Sequence, residues 1–428
     1  MKILYLNYMG SALPTLIRSF ELARATSSLG HEVTLCFMSR HFRPPAFFLD
    51  LLRSSESPRF RILHSAPDTP ANPPASFGPG ASSVRAGPGR PTLKGLAKQI
   101  AGSLLHLPME SRLIAEIRPD VIVARPDHII SIPITARRYG VPLVLETDGP
   151  VEELDHYWGI SSRWVRPLDT ARARRAQALL VISRVCEELW LRKGIPASRL
   201  FLCPNGADPE VFRPSPPAER QDTRRRLGLD GSLVIGFSGN QRRWHGVDRL
   251  LRAAVPLLRE QPALKLLIIG ALQEASLLEL DHVPSALREG RIVRSGAVPY
   301  SEMPRLIDAA DLMVLPYPDL PLFHFSPMKM FEALAMAKPL VASRQGQIAD
   351  VLAGLESCYL FDPDTPEALE HSLRRAVADV SAGRGGDAGR RLLERAHTWA
   401  HRGGVIAEAC SFARRAAGLP EEPAGTPA

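Results

Sequence analysis

The segment 323–339 carries the residues whose types and spacing best suit the binding of an anion. Ser326 is a favourable helix N-cap residue and Pro327 suits the first helical position, so we expect a helix to begin here with free backbone amides. A helix N-terminus favours an anion, and Lys329 adds a full positive charge close to the same end. The segment therefore predicts a site for a phosphate group.

Glu332 lies about one turn further along the same predicted helix, in an otherwise apolar stretch. Because an unpaired buried carboxylate is costly, this side chain needs a partner. A ribose diol, which donates two hydrogen bonds to one carboxylate, is one candidate. An ion pair with Lys329 at the i,i+3 spacing is the other. The sequence alone leaves both open.

A second candidate anion site is the turn 238–246, which follows a strand-like apolar run. The turn combines Gly239 with Arg242, Arg243 and His245. The planar guanidinium group of arginine suits paired phosphate oxygens. We therefore expect a diphosphate clamp here, in which one of the two arginines is ordinary solvated surface.

Gly10 lies in a comparable turn, residues 8–11, between the first predicted strand and the first predicted helix. Such a turn brings backbone amides close to a phosphate, but a plain turn explains a single glycine equally well. Neither half of the chain contains a G-x-G-x-x-G motif. A dinucleotide-dependent dehydrogenase is therefore disfavoured.

These turns follow apolar strand-like runs that alternate with helical segments in both halves of the chain. The predicted strands of the first half are residues 3–7, 33–37, 121–124, 142–146 and 179–183. Those of the second half are residues 233–237, 264–269, 312–315 and 339–342. All-apolar strands that alternate with helices are typical of parallel sheets covered on both faces. The pattern predicts an α/β chain with two doubly wound domains, whose ligands bind beyond the carboxyl ends of the strands.

The length of 428 residues also favours more than one domain. A turn cluster at residues 203–209 and a polar, proline-rich stretch at 214–221 predict the hinge. We expect an N-terminal domain over residues 1–210, a C-terminal domain over 211–400, and a terminal helix with a disordered tail over 401–428. Residues 66–91 hold seven prolines and four glycines, which predicts a mobile insertion in the first domain.

The composition is that of a folded globular chain, with 45% hydrophobic and 23% charged residues. It excludes a mainly disordered, collagenous or coiled-coil protein. Five scattered cysteines without metal-like spacing predict reduced core thiols, and the N-terminus shows no signal-peptide pattern. No stretch reaches the 18 or so apolar residues that span a bilayer. These features predict a cytoplasmic protein, at most attached peripherally to a membrane.

The net charge of +8 is uneven, because residues 1–210 carry +7 of it. Such an excess indicates an anionic partner, either nucleic acid or a membrane surface; an arginine-rich surface from biased codon usage is the alternative. No nucleic-acid motif occurs in this half. Residues 93–107 form a basic and apolar helical pattern that suits an anionic bilayer. We therefore favour peripheral membrane contact and a lipid-linked partner over nucleic acid.

Three motifs together resemble a known family. They are the E-A-x-A-x-x-K-P run at 332–339, Pro-Asn-Gly-Ala-Asp at 204–208, and Gly-Ala-Val-Pro at 296–299. Over residues 1–377 the chain resembles a glycosyltransferase of GT-B fold, in the large retaining family that includes mannosyl-, glucosyl- and N-acetylglucosaminyltransferases and sucrose synthase. The resemblance implies two Rossmann-like domains that face a cleft. The branch with the S-P-x-K-x-F-E pattern acts in polysaccharide or glycoconjugate assembly.

The resemblance also implies roles for residues of the second half. Glu332 would bind the donor ribose, and backbone amides at the start of its helix, with Ser326 and Met328, would hold phosphate. Gly239, His245 and the base-side Val298 would complete the donor site. Three positions depart from the family pattern. His324 stands where a glutamate near the donor sugar is usual. In the diphosphate loop, Asn240 stands where an arginine is usual and His245 where a lysine is usual. Arg242, with Lys329, would then supply the positive charge.

In the first half, the resemblance places Arg125 near a catalytic pocket. Glu146 and Asp148 follow the next strand, where they could orient acceptor hydroxyls or position Arg125. A purely structural Arg125–Glu146 ion pair is the alternative. No Asp-x-Asp follows a strand, so neither a metal nor another cofactor is expected. Helix termini and basic side chains would instead neutralise the leaving diphosphate.

The sequence thus predicts a retaining, metal-independent transferase that moves a sugar from a UDP- or GDP-sugar to a saccharide or lipid-linked acceptor. We expect it in the cytoplasm, with the inner face of the plasma membrane as a candidate position. Two alternatives remain open. One is a nucleotide-sugar 2-epimerase, which shares the architecture and the nucleotide site. The other is a non-catalytic nucleotide-sugar-binding protein, which the replacement of the glutamate by His324 favours.

Overall fold

A computed structural model describes residues 1–8, 13–38, 52, 54–64, 100–126, 130–147, 149–157, 159, 161–239, 243–271, 283–365 and 367–420. The predicted insertion at 66–91 lies outside these residues. The chain divides into two compact units. The first comprises Met1–Asn205 together with Trp399–Ala428, and the second comprises Gly206–Thr398.

The first unit is built on a seven-stranded parallel sheet. Its strands are β1 (Lys2–Asn7), β2 (Glu32–Phe37), β3 (Phe60–His64), β4 (Val121–Arg125), β5 (Leu143–Thr147), β6 (Ala178–Val181) and β7 (Leu200–Leu202). They lie in the order β3-β2-β1-β4-β5-β6-β7, and every neighbouring pair is parallel. The central strands are buried on both faces, as their continuous apolar sequences require.

Helices connect these strands on both faces of the sheet. Those of the first unit, apart from its last, are α1 (Leu13–Ser28), α2 (Leu107–Ile117), α3 (Ser131–Tyr139), α4 (Glu153–Tyr157), α5 (Arg166–Arg175) and α6 (Arg184–Arg192). A 3-10 turn, Leu104–His106, leads into α2. The strand order reverses between β1 and β4, so the loops after these two strands diverge at the carboxyl edge.

The second unit repeats this architecture with six strands. They are β8 (Leu233–Ser238), β9 (Leu264–Ile269), β10 (Ile292–Gly296), β11 (Leu312–Leu315), β12 (Leu340–Ser343) and β13 (Cys358–Phe361). Their order is β10-β9-β8-β11-β12-β13, again with parallel pairs throughout. The reversal here falls between β8 and β11. The two parallel sheets confirm the predicted α/β fold with two doubly wound domains.

The helices of the second unit cover both faces of its sheet. They are α7 (Pro217–Arg226), α8 (Val247–Glu260), α9 (Val283–Arg288), α10 (Met303–Ala309), α11 (Met328–Ala335), α12 (Gly346–Leu352), α13 (Ala368–Ser381) and α14 (Asp387–Ala396). On one face, Leu250 and Leu257 of α8 pack in one core cluster with Ile268 and Leu373. On the other face, Leu334 belongs to a separate core cluster that includes Leu315. The sheet thus holds α11 and the loop before it in place.

The last helix, α15 (Trp399–Ala416), belongs to the first unit, whereas the sequence-based division had set residues 401–428 apart. It lies against α1 at very close range, since a Cβ on Gly403 would stand 2.7 Å from the carbonyl carbon of Ala25. Arg402 donates a hydrogen bond to the backbone oxygen of Asn205 at 3.3 Å. Among the described residues, no helix is both long and apolar enough to cross a bilayer.

Candidate functional site

The candidate site of the second unit lies at the carboxyl edge of its sheet, where β8 and β11 separate. Gly239 follows β8 directly, and residues 316–327 connect β11 to α11. Because β8 and β11 are parallel neighbours, their following loops meet at one edge. Lys329 lies at this edge close to Gly239, and His324 lies in the loop that precedes α11.

Glu332 lies on the buried side of α11 and is only 5% exposed. Burial raises the pKa of its carboxyl to about 7, although the hydrogen bond from Tyr300 and the charge of Lys329 act in the opposite direction. The Tyr300 hydroxyl donates to Oε1 at 3.1 Å. Within the described residues, the other carboxylate oxygen accepts no hydrogen bond and no ion pair joins Glu332 to Lys329. The carboxylate therefore retains capacity for hydroxyl donors.

The amine of Lys329 is buried and has no hydrogen-bond partner among the described residues. Its Nζ lies 4.8 Å from the ring centre of Phe237 and 5.5 Å from that of Tyr317. Burial lowers the pKa of this amine to about 8, while the charge of Glu332 raises it in part. A buried cation without a hydrogen-bond partner in the described part of the chain is an energetically costly group, and an anionic ligand would satisfy it.

Gly239 gives that amine its open side. Its φ is +143°, and a Cβ at this position would stand 2.7 Å from Lys329 Nζ and 3.4 Å from His245 Nδ1. Its amide nitrogen is held by Ile269 O at 2.9 Å. Because Gly239 has no side chain, the Lys329 amine and the His245 imidazole can both lie close to its backbone. Gly246, with φ +66°, lets the end of the same turn lie against Pro316.

His324, which occupies the position expected for a sugar-contacting glutamate, is 2% exposed. Its ring centre lies 4.3 Å from that of Phe325, and its Nδ1 lies 3.4 Å from Leu322 O. The imidazole is therefore packed into the loop between β11 and α11. Val298, the expected base-side residue, is half-buried and packs against the core of the second unit.

The start of α11 differs by one residue from the prediction. Pro327, not Ser326, is the N-cap residue, and no side-chain hydrogen bond caps the helix. Met328 is the first helical residue, because Pro327 adopts an extended backbone with ψ 112°. Ser326, which is 5% exposed, precedes the N-cap residue. The first-turn amides of Met328 and Lys329 are at the end of the helix that lies at the same edge of the sheet.

Several predicted site residues lie outside the described part of the chain, namely Gly10, Arg242, Asp148 and the loop position Asn240. Arg243 begins the 3-10 turn Arg243–His245. In the described part of the chain, no group of three or more His, Cys, Asp or Glu side chains is arranged to hold a metal ion.

In the first unit, Glu146 lies at the end of β5 inside a buried ion-pair network. Arg18 Nε donates to its Oε1 at 2.5 Å, and the Tyr5 hydroxyl donates to its Oε2. Arg125 Nε is 3.9 Å from Oε1, and Arg125 Nη1 donates to Thr15 O at 3.0 Å. The predicted Arg125–Glu146 pair thus exists, but the closer partner is Arg18.

Sequence reasoning missed Arg18 and also a second buried carboxylate, Glu110. Glu110 accepts hydrogen bonds from the hydroxyls of Tyr8 at 2.6 Å, Ser131 at 2.5 Å and Thr135. Burial raises its pKa, although the three hydroxyls lower it in part. No local pattern distinguished Arg18, because the buried side of α1 also carries Thr15, Ser19 and Glu21. Tyr300 was also missed, although it directly follows the predicted base-side turn.

Comparisons with known proteins agree with this architecture. A family model described as "Glycosyl transferases group 1" matches residues 232–379, and one described as "Glycosyl transferase 4-like domain" matches residues 17–206. D-inositol 3-phosphate glycosyltransferase of Corynebacterium urealyticum is 30% identical over 189 residues, 42% of this chain and 44% of that protein. 2-Deoxystreptamine glucosyltransferase of Streptomyces kanamyceticus is 24% identical over 260 residues, 59% of this chain and 65% of that protein.

The chain spans less than half the length of the first curated relatives that it matches. For three D-inositol 3-phosphate glycosyltransferases, the match covers 39% to 49% of the relative. Solved structures match over nearly the whole chain. HepE of Anabaena, in a complex with UDP, has a TM-score of 0.69 at 17% identity, covering 95% of this chain and 99% of that one. Sucrose-phosphate synthase of Thermosynechococcus elongatus has a TM-score of 0.65 at 16% identity, covering 95% and 98%. At these identities the likeness concerns the fold.

Proposed function

We propose that this chain, which belongs to the GT-B glycosyltransferases, transfers a sugar from a nucleotide-sugar donor to a saccharide or lipid-linked acceptor. The proposed transfer retains the configuration of the sugar and needs no metal ion. The donor is a UDP- or GDP-sugar, held by the second unit. The acceptor is assigned to the first unit, in keeping with its excess positive charge.

The observation that carries this proposal is the buried amine of Lys329 beside Gly239, which has no hydrogen-bond partner among the residues that the structure describes. A buried cation at the carboxyl edge of a parallel sheet is what a diphosphate would neutralise. The free amides at the start of α11 add donors to the same anion, and His245 lies beside Gly239. We assign the diphosphate of the donor to this position, with Arg242 as a further basic contact.

Glu332 and Tyr300 are assigned to the ribose. One carboxylate oxygen already accepts from Tyr300, which fixes the orientation of the carboxyl group. The remaining acceptor capacity suits the vicinal hydroxyls of a ribose. Val298, which lies two residues before the 3-10 turn Tyr300–Glu302, would contact the base. Tyr300 thus joins the base-side turn to the ribose carboxylate.

In the transfer step, the bond between the anomeric carbon and the diphosphate oxygen breaks as the acceptor oxygen attacks the same carbon. Lys329, Arg242 and the α11 amides stabilise the charge that develops on the leaving diphosphate. A diphosphate oxygen takes the proton of the acceptor hydroxyl on the same face of the sugar, which retains the configuration. No protein nucleophile is required. On the first unit, Arg125 is the proposed contact with the reacting groups.

Glu146, by contrast, is assigned a positioning role. Its two oxygens are engaged by Arg18 and Tyr5, and Arg125 lies within ion-pair distance. This arrangement holds the Arg125 guanidinium in place instead of presenting the carboxylate to an acceptor. Asp148 is the remaining acceptor-side candidate.

A thermal-shift panel of UDP, GDP, ADP and their glucose or mannose conjugates tests the proposal. A ligand at 100 times its Kd that binds only the native state stabilises it by about 2.7 kcal/mol. We expect a shift with one nucleotide class, which Glu332→Ala abolishes and the exposed-site control Glu302→Ala preserves. Product analysis with that donor then reports transfer, hydrolysis or epimerisation. A chain that responds to none of the nucleotides would refute the proposed donor site.

Peripheral membrane contact is proposed as a second property of the first unit. Its 3-10 turn exposes Leu104 and Leu105, which are 41% and 63% accessible. Helix α3 adds exposed Ile134, and its last turn contains Arg137 and Arg138. Apolar side chains with nearby arginines suit an anionic lipid surface.

Co-sedimentation with vesicles tests this contact. We expect binding to vesicles that contain phosphatidylglycerol, loss of most of it in the double variant Leu104→Ser with Leu105→Ser, and little binding to pure phosphatidylcholine. The matched control replaces Leu191, an exposed leucine of α6 at 42% accessibility, by serine. If the protein does not bind anionic vesicles at low salt, membrane contact is refuted, and biased codon usage explains the positive charge of residues 1–210.

A further inference from the structure

Gln347, in the first turn of α12, has a buried side chain for which neither motif nor fold accounts. It is 6% exposed, and its Oε1 is buried without a hydrogen-bond partner among the described residues. Folded proteins leave few buried polar atoms unsatisfied, because each one forfeits its hydrogen bonds to water. An amide in this state needs either a ligand or an explanation within the chain.

The two residues before Gln347 fix its position relative to the candidate site. The Gln345 Nε2 donates to Pro318 O at 2.8 Å, and Leu320 N donates to the Gln345 Oε1 at 3.3 Å. Gly346, with φ +41°, lies so near the same loop that a Cβ would stand 2.7 Å from Phe323 O. The turn 345–347 is therefore seated on the loop between β11 and α11.

That loop carries His324, where the family resemblance led us to expect a glutamate that touches the donor sugar. The imidazole of His324 is 2% exposed and packs on Phe325. A side chain near this position that offers both an acceptor and a donor could take over the contact with a sugar hydroxyl. The amide of Gln347 offers both, and its acceptor is unused within the described residues.

We propose that the Gln347 side-chain amide binds a hydroxyl of the transferred sugar and helps to select it. This inference rests on the proposed donor site, since it concerns the sugar of the same nucleotide. It differs from that proposal in assigning nothing to the nucleotide itself. Loss of the amide should therefore weaken the binding of the sugar nucleotide and leave the affinity for the nucleoside diphosphate unchanged.

The test compares wild type with Gln347→Leu, which removes both polar atoms at similar volume. The probes are UDP, UDP-glucose, UDP-galactose, UDP-N-acetylglucosamine, GDP and GDP-mannose, titrated by calorimetry. For the sugar nucleotide that wild type binds most tightly relative to its own diphosphate, we expect about a tenfold loss in affinity, as for one buried hydrogen bond. The diphosphate should change less than twofold. The unfolding midpoint without ligand should stay equal or rise.

The matched control is Gln345→Leu, because Gln345 is an amide two residues away whose hydrogen bonds hold the loop. We expect this variant to have a lower unfolding midpoint and to bind the diphosphate and the sugar nucleotide more weakly by the same factor. If Gln347→Leu leaves the ratio of the two affinities unchanged, or lowers the midpoint as the control does, the role assigned to Gln347 is wrong while the donor site stands. If wild type binds none of the nucleotides, the donor site itself fails, and the role of Gln347 fails with it.

Discussion

Replacing Lys329 by methionine is the sharpest test of the donor site, because the amine has no partner to lose within the described residues. Methionine keeps an unbranched chain of similar length, so it preserves most of the contacts with Phe237 and Tyr317. The substitution therefore removes a buried charge and little packing. For an ordinary structural lysine, the same change would destabilise the fold.

The magnitude follows from the pKa of Lys329, which burial lowers from 10.5 to about 8. A depression of this size corresponds to about 3 kcal/mol of unfavourable free energy for keeping the amine charged in the folded state. Between pH 8 and 10.5 the unfolded chain binds more protons than the folded chain, so stability rises with pH across that window. Below pH 8 the full cost is present. We therefore expect Lys329→Met to stabilise the ligand-free protein by about 1–3 kcal/mol at pH 7.

Urea unfolding without ligand at pH 7 and pH 10 measures this effect. The advantage of the variant over wild type should shrink as pH rises, while its affinity for the preferred nucleoside diphosphate falls at least tenfold. The matched control is Lys338→Met, since Lys338 Nζ donates to Asp308 Oδ1 at 2.9 Å and to Ala310 O at 2.9 Å. That variant should lose about 3–5 kcal/mol, because it strands a buried carboxylate. A Lys329→Met protein that is destabilised equally at both pH values, with unchanged diphosphate affinity, would refute the reasoning.

Four further outcomes follow from the same geometry. Glu332→Ala should lower kcat/KM more than tenfold, about 1.4 kcal/mol of transition-state binding, in a transfer assay; near-wild-type turnover would exclude the ribose role. The pH profile of kcat/KM should be a narrow bell, because Glu332 must lose its proton above about pH 7 and Lys329 must keep its own below about pH 8; a flat profile from pH 6 to 9 would contradict it. Gly239→Ala should cost about 1–3 kcal/mol of stability in urea unfolding, because φ +143° strains a residue with a Cβ, whereas an unchanged midpoint would show that the turn relaxes freely. Arg18→Met should destabilise the fold by about 3–5 kcal/mol through the stranded Glu146; a loss below 1 kcal/mol would mean that Arg125 and Tyr5 suffice.

The fold was predictable from the sequence because its strands are short apolar runs in a regular alternation with helices. The run 264–269 was predicted with the bounds that β9 has. The strands at the edges of the two sheets, β3, β7, β10 and β13, were not predicted, since their side chains are only partly buried and their apolar signal is weaker. The assignment of α15 to the first unit depends on contacts with α1, which are distant in sequence and leave no local pattern.

For the candidate site, sequence reasoning identified residue types but not their electrostatic state. It placed Lys329 and Glu332 near one another and left open whether they form an ion pair. The structure has no ion pair between Lys329 and Glu332. Instead, Glu332 accepts a hydrogen bond from the Tyr300 hydroxyl, and burial raises the pKa of its carboxyl. An ion pair of Glu146 with Arg125 was one of the alternatives that the sequence left open, whereas Arg18 lies closer to Glu146 from 128 positions away along the chain. Such pairings depend on which helix covers which strand, and a single sequence does not contain that information.

The buried carboxylates of the first unit differ from the buried Lys329 amine of the second in how far the chain itself supplies partners. In the first unit, Glu146 is satisfied by Arg18 and Tyr5, and Glu110 by three hydroxyls. These groups have the full set of partners that buried polar atoms require, so they support the fold. In the second unit, the Lys329 amine and the Gln347 acceptor are buried without such partners in the described part of the chain. Lys329 follows the loop between β11 and α11, and Gln347 follows a turn that contacts this loop. A buried cation would be satisfied by a phosphate, and an unused amide acceptor by a sugar hydroxyl. The incomplete set of partners, more than the motif, is what argues for a nucleotide-sugar at this edge.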